Sequence, residues 1–338
     1  MTRILVTGAT GSLGSALTRR LVDLGADVVV LRVPGTPIGG LARYAGRFEE
    51  RTGDVTEPDS LRRAMSGIDL VFHLAGVAVT LNRLHRQMYR INVTGAANVA
   101  RAAAQAGVRR MVHTSTIAAV GYPAEGEIAD ESFDFTRTVV RNSYMLTKRA
   151  GEQRVLGIGA ALGLDVVVVN PAAVPAPYSH LRYGWAGLVD LARRGRLRGY
   201  PPGGVALCAE SELVEGQLAA MERGTAGRRY ILATANLSYR ELCTLVCRVV
   251  GVPPPRYRVP AAVVRAAGRM GQALAALRAG SPFLVPENAE LAVRTFRYDP
   301  GRSRRELGIS PGDLAESIAG INDWLGKEGR RALDRPAR

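Results

Sequence analysis

A tyrosine and a lysine stand four residues apart in Tyr144-Met145-Leu146-Thr147-Lys148. On a helix that spacing puts both side chains on one side, so a phenol and an ammonium can meet a single ligand. A nearby cation favours phenolate and lowers the tyrosine pKa toward neutrality, which makes Tyr144 a usable general acid or base. Such pairs also occur on ordinary solvated helix faces, and composition is what singles this one out. Of 45 basic residues only Lys148 and Lys327 are lysines, so the other 43 are arginines. A chain that writes arginine almost everywhere keeps a lysine here. A compact ammonium suits a ribose hydroxyl and a neighbouring phenol better than a guanidinium fork does. Thr114-Ser115-Thr116 closes a β-branched run, and a hydroxyl there would hold a carbonyl oxygen beside the tyrosine.

A second cluster lies near the amino terminus, in Thr7-Gly8-Ala9-Thr10-Gly11-Ser12-Leu13-Gly14. Gly8, Gly11 and Gly14 allow a tight turn, close approach of a pyrophosphate, and tight packing of helix on strand. Thr10, Ser12 and Leu13 complete the loop, and the helix it opens offers free N–H groups and a positive dipole end. Where an NAD site carries an acid at the end of its second strand, this chain has Arg32. An arginine pairs with a 2′-phosphate that a carboxylate would repel. NADP(H) is therefore the expected cofactor, with NAD(H) as the alternative and Arg43 and Arg47 as possible helpers. Asp54-Val55 and Leu74-Ala75-Gly76 follow later strands on the same sheet edge, where Asp54 would accept from an adenine amino group.

The elements that must position these residues alternate. Apolar β-branched runs at 4–7, 28–32, 48–52, 70–73, 111–115 and 166–170 read as buried parallel strands. Helical patterns at 12–24, 57–66, 85–106 and 142–163 separate them, which predicts a doubly wound α/β fold. After Asn170-Pro171 the texture changes, and 172–204 is rich in Pro, Gly, Tyr and Arg. Helices are expected near 210–223, 238–250, 260–279, 286–294 and 312–327, with a strand at 229–232. The expected organisation is a cofactor domain at 1–171 carrying the catalytic residues, then a smaller, mostly helical substrate lobe at 172–328 whose strand returns to the sheet. A basic tail occupies 329–338.

Together these motifs resemble the extended short-chain dehydrogenase/reductase (NAD-dependent epimerase/dehydratase) family. The resemblance rests on Gly8, Gly11 and Gly14; Asp54; Leu74-Ala75-Gly76; Asn92-Val93-Thr94-Gly95; the run 114–121; Tyr144 and Lys148; and Asn170-Pro171. It implies a Rossmann-type sheet and a catalytic set of Thr116, Tyr144 and Lys148, with Ser115 the fallback hydroxyl. It also implies cofactor contacts from Asn92, Thr114, Pro171 and Val174 besides the residues above, and substrate contacts from Val77, Thr116, Tyr144, Asn170 and Tyr178. The branch that looks most similar holds dihydroflavonol-reductase-like proteins and hopanoid-associated sugar epimerases. The sugar-nucleotide dehydratases of the family carry Asp-Glu after the catalytic hydroxyl, where this chain has Ile117-Ala118. Two departures, Ala176-Pro177 and Ala209-Glu210-Ser211-Glu212, point to a remodelled substrate lobe.

The resemblance implies an NADPH-dependent reductase of a small carbonyl substrate, with a sugar-nucleotide epimerase as the alternative. A cofactor sensor or a nucleic-acid binder is the contrasting class. The net charge of +15 raises the last, but the arginines are spread among acids with only short doublets. Three cysteines are too few for a disulfide framework; Cys243 and Cys247 read as small core residues and no metal spacing is present. Tyr178, Tyr183 and Trp185 read equally well as pocket lining or lobe packing. The basic amphipathic stretch 259–280, with Arg265, Arg269 and Arg278, reads as a substrate-lobe helix rather than a membrane contact. No run approaches the length of a membrane span and no signal peptide is evident, so a cytoplasmic location is expected. The family habit suggests a homodimer through the two longest helices.

Overall fold

The computed structural model describes residues 2–79, 81–178, 184–277 and 284–328. Tyr183, Arg278 and the basic tail, all noted above, lie outside the described residues. Seven parallel strands form one sheet: β1 (Arg3–Thr7), β2 (Asp27–Arg32), β3 (Glu49–Thr52), β4 (Leu70–His73), β5 (Arg110–Thr114), β6 (Asp165–Pro171) and β7 (Arg229–Leu232). Their order is β7-β6-β5-β4-β1-β2-β3. The direction of winding reverses between β1 and β4, and a crevice opens outside the carboxyl ends there.

Alternation along each strand supplies two cores. Leu5, Val29, Val71, Met111, Val166 and Val168 face the helices Pro58–Ala64, Ala96–Gln105 and Ser143–Leu162. Ile4, Val6, Val28, Val30, Phe72, Val112, Val167 and Val169 face the helices Ser12–Asp23 and Glu210–Arg223. With both faces covered, the strands need no polar side, which is why they read as continuous apolar runs. The exception is β3, whose Glu49-Glu50-Arg51-Thr52 alternates between half-buried and exposed positions because it is an edge.

A third core belongs to the second lobe, where Val189, Leu242, Val246, Ile318 and Trp324 pack helices Trp185–Arg193, Tyr239–Val250 and Leu314–Glu328 together. The first of these helices, and short strands at Gly199–Tyr200 and Gly204–Leu207, lie in the stretch that reads as irregular in sequence. Trp185 packs in this core. Cys243 and Cys247 are buried, with burial pushing the Cys243 thiol up to about 12. No helix among the described residues is long and apolar enough to cross a membrane.

Candidate active site

The glycine loop is held by contacts that admit no side chain. Gly8 has φ +71°, and a Cβ there would lie 2.5 Å from the Ala75 nitrogen, just beyond β4. A Cβ on Gly14 would lie 2.1 Å from the Gly8 carbonyl oxygen. The helix Ser12–Asp23 starts at Gly11 with no side-chain cap and no acid in its first turn, so its leading N–H groups stay open to an anion. Loop, open helix end and switch-point crevice together fit the diphosphate of a dinucleotide. The Ser12 hydroxyl is engaged elsewhere, donating at 2.5 Å to the Pro177 carbonyl of the second lobe. Gly14→Ala is expected to abolish dinucleotide affinity and to cost about 1–3 kcal/mol of stability. Gly157→Ala, where a Cβ meets nothing within 4 Å, is expected to stabilise by about 0.5–1 kcal/mol. Thermal melts with and without dinucleotide check both.

Arg32 ends β2 as expected and is already partnered. Its Nη1 lies 2.7 Å from Glu50 on β3, and Nε and Nη2 donate to the Thr36 carbonyl at 3.0 and 2.8 Å. Arg47 pairs instead with Asp23 and lies over the Tyr44 ring. Asp54 accepts from both the backbone N–H and the hydroxyl of Thr56, a local turn that spends Oδ1. Leu74 and Ala75 are tied to β1 through the Thr7 carbonyl and hydroxyl.

The catalytic candidates come together on the helix Ser143–Leu162, which opens where the Asn142 side chain accepts from the Met145 N–H at 2.8 Å. Thr116 caps the short helix Ile117–Val120, its hydroxyl accepting from the Ala118 N–H at 3.3 Å, and the same hydroxyl is near enough to the half-buried Tyr144 phenol to act on its pKa. Lys148 is buried one turn on and donates at 2.8 Å to the Thr114 carbonyl. Burial, partly offset by Glu152, lowers the Lys148 pKa to about 8. One expectation needs correction. The Tyr144 pKa is raised by burial, an effect the Thr116 hydroxyl opposes in smaller part, so the phenol lies above its ordinary value rather than lowered toward neutrality. The ammonium is turned to the end of β5 rather than to the phenol. His73 and His113, paired in register beneath it, are fully buried, and desolvation pushes His73 down to about 3. Both stay neutral, so Lys148 is the cation of this cluster.

Several residues expected to touch ligand also hold the scaffold together. Asn170 is fully buried; its amide donates to the Thr116 carbonyl at 3.0 Å and to Glu152 at 2.8 Å. Its Nδ2 thus fixes the catalytic loop, while its Oδ1 has no hydrogen-bond partner among the described residues. The Asn92 side chain clamps both backbone groups of Val77, and the Thr114 hydroxyl is spent on Gln217. Tyr178 does not join the catalytic group. Its ring lies between Arg19 and Trp324 and against Gly40, in the seam between lobes. Pro171 and Val174 follow along and beyond β6, Val174 half-buried against the sheet core.

Sequence reading missed Glu152, whose side chain is 1% exposed and lies 2.7 Å from Arg229 of β7. Its signal was present as a third position on the Tyr144–Lys148 helix face, four residues further on. It also missed Gly151, where a Cβ would come within 2.0 Å of the Asn92 carbonyl. That carbonyl belongs to a π-helical stretch, Arg90–Gly95, interrupting the helix expected over 85–106.

A model of the NAD dependent epimerase/dehydratase family matches residues 4–194, more than half of the chain. The chain belongs to that family. This epimerase/dehydratase-family protein is 30% identical to sterol demethylase protein B of Methylococcus capsulatus, over 96% of this chain and 98% of that protein. It is also 30% identical to 4-hydroxy-2-methyl-3-oxo-4-farnesyl-3,4-dihydroquinoline-1-oxide ketoreductase of Stigmatella aurantiaca, over 91% and 92% of the two chains. The crystal structure of gox2253 superposes with a TM-score of 0.81 at 26% identity, covering 98% of this chain and 99% of that one. Family membership makes the chain an NAD(P)-dependent oxidoreductase-type enzyme that processes a small molecule.

Proposed function

We propose that the protein is an NADPH-dependent reductase of a carbonyl group on a hydrophobic small molecule. The observation that carries this reading is the convergence of Thr116, Tyr144 and buried Lys148 at the carboxyl edge of the sheet, with Lys148 donating to the Thr114 carbonyl at 2.8 Å. When bound, the nicotinamide dinucleotide supplies a hydride to the carbonyl carbon. Thr116 holds the carbonyl oxygen and Tyr144 delivers its proton, which the raised phenol pKa keeps in place near neutral pH. Lys148 orients the cofactor ribose and carries the positive charge that stabilises developing oxyanion character. The names of two relatives, a ketoreductase of a farnesyl-bearing dihydroquinoline oxide and a sterol demethylase protein, support a hydrophobic substrate. Ile117-Ala118 after the catalytic hydroxyl offer no carboxylate for dehydration.

The test incubates purified protein with NADPH or NADH and a panel of hydrophobic ketones and aldehydes, following loss of reduced nicotinamide. Carbonyl-dependent oxidation is expected. No consumption across the panel, together with tightly retained NAD, would overturn the reading in favour of epimerisation.

Arg32 carries the cofactor preference in this proposal. Arg32→Ala is expected to weaken NADPH roughly 10- to 100-fold, the loss of one charge-assisted contact, with little effect on NADH. Glu50→Gln frees the guanidinium and is expected to tighten NADPH. Titrations of both dinucleotides against both variants check this, and an unchanged preference in Arg32→Ala removes the assignment.

A further inference from the structure

We propose that the helix Ala261–Leu277 and the segment leading into it form a docking surface for an anionic lipid bilayer. The inference goes beyond the proposed reaction and does not depend on it.

A surface helix normally turns its apolar stripe inward and polar residues outward. This one packs inward through Val264 and through Gly268, where a Cβ would meet the Ala289 methyl at 2.8 Å. Arg265 reinforces that side by pairing with Glu290 at 2.9 Å. The opposite face is apolar too. Val263, Ala266, Met270 and Ala273 recur at helical spacing and all are exposed, Val263 by 53% and Met270 by 62%. Tyr257, four residues before the helix, is 69% exposed. The sequence pattern assigned this helix to lobe packing, and that accounts for only one of its two apolar faces.

Charge decides what covers the other. From 242 to 286 the chain holds six arginines, at 248, 256, 258, 265, 269 and 278, and no carboxylate. Arg256, Arg258 and Arg269 are exposed, and among the described residues none is joined to a carboxylate. The short strand Tyr257–Arg258 pairs with Gly199–Tyr200, which brings exposed Arg198 alongside. A second copy of this surface would repel it. An anionic lipid surface attracts the arginines, takes the Val263–Met270 stripe into its acyl boundary, and seats an aromatic ring such as Tyr257 at headgroup level.

The test is co-sedimentation of the full chain with vesicles of zwitterionic phospholipid alone or with one-third anionic phospholipid. Binding is expected to the anionic vesicles and to weaken with added salt. Val263→Asp/Met270→Asp is expected to lower it about tenfold or more while melting temperature and catalytic turnover stay near wild type. Arg256→Gln/Arg258→Gln, which leaves the helix intact, is expected to lower it as well. Absence of wild-type binding, or binding unaffected by either double variant, overturns the proposal. So does a wild-type dimer in sedimentation equilibrium that Val263→Asp/Met270→Asp dissociates, since a second copy would then be the occupant.

Discussion

Tyr144→Phe is expected to lower turnover by roughly 10²–10⁴-fold, the usual contribution of a positioned acid or base. The dinucleotide affinity is expected to hold, because the phenol oxygen and not the ring is what the substitution removes. The ring edge remains half-buried against the core, so stability changes little. Single-turnover rates and equilibrium titrations separate the two effects. The wild-type pH profile adds a sign. The Lys148 pKa is lowered to about 8 by burial, so its charge is present below that pH and is lost as pH rises through it. A rate that needs the ammonium therefore falls on the alkaline side of about 8. Tyr144, raised above its ordinary value, stays protonated across the same window. A rate that increases steadily through that window would remove Lys148 from the charged role given to it.

Glu152→Ala is expected to be the most destabilising of the single changes, by about 3–5 kcal/mol. Its carboxylate is buried between Arg229 at 2.7 Å and the Asn170 amide at 2.8 Å. Removing it leaves an uncompensated guanidinium in the interior and frees the amide that holds Thr116. Denaturant midpoints measure the loss. Glu152→Gln is the sharper probe, because it retains a hydrogen-bond acceptor for Asn170 while deleting the charge. Burial lowers the Lys148 pKa and Glu152 raises it, while burial, helped by the ammonium, in turn lowers the pKa of His73 and His113. Without the carboxylate, the Lys148 pKa falls further, and the alkaline limb of the rate moves to lower pH. A limb unmoved in Glu152→Gln would reduce Glu152 to packing alone.

What could be read from the sequence is what is local. The runs around Val6, Val29, Phe72, Val112 and Val168 are buried on both sides, so each announces a strand without reference to its neighbours. The glycine loop and the Tyr144–Lys148 spacing are equally self-contained, because one turn and one helix face hold all their parts. What stayed hidden depends on partners far along the chain. Arg32 was placed correctly, but Glu50 beside it follows from strand register. Asn170 reads as a strand-end amide until β6 brings it against Thr116 and Glu152. Tyr178 follows the sixth strand closely enough to suggest a pocket, yet packing on Arg19 and Trp324 takes it into the seam. The π-helical stretch at Asn92 changes the helix period by a fraction of a residue, which no pattern of apolar positions records. The outward stripe of Val263 and Met270 needed three dimensions to see, since an apolar helix reads alike whichever side is covered.

The seventh strand has a consequence for how the chain is made. β7 at Arg229–Leu232 pairs with β6, which ends nearly 60 residues earlier. A ribosome working from the amino terminus therefore releases the whole catalytic helix and six strands while the open edge of β6 has no neighbour. Glu152 waits over the same interval for Arg229, its buried counter-ion. The nascent cofactor-binding half is thus exposed to edge pairing with other chains, and its interior carboxylate has Arg149 at 3.9 Å in place of Arg229 at 2.7 Å as its guanidinium partner. Both conditions end together when one strand arrives, so completion of the sheet and close pairing of the carboxylate are a single late step in folding.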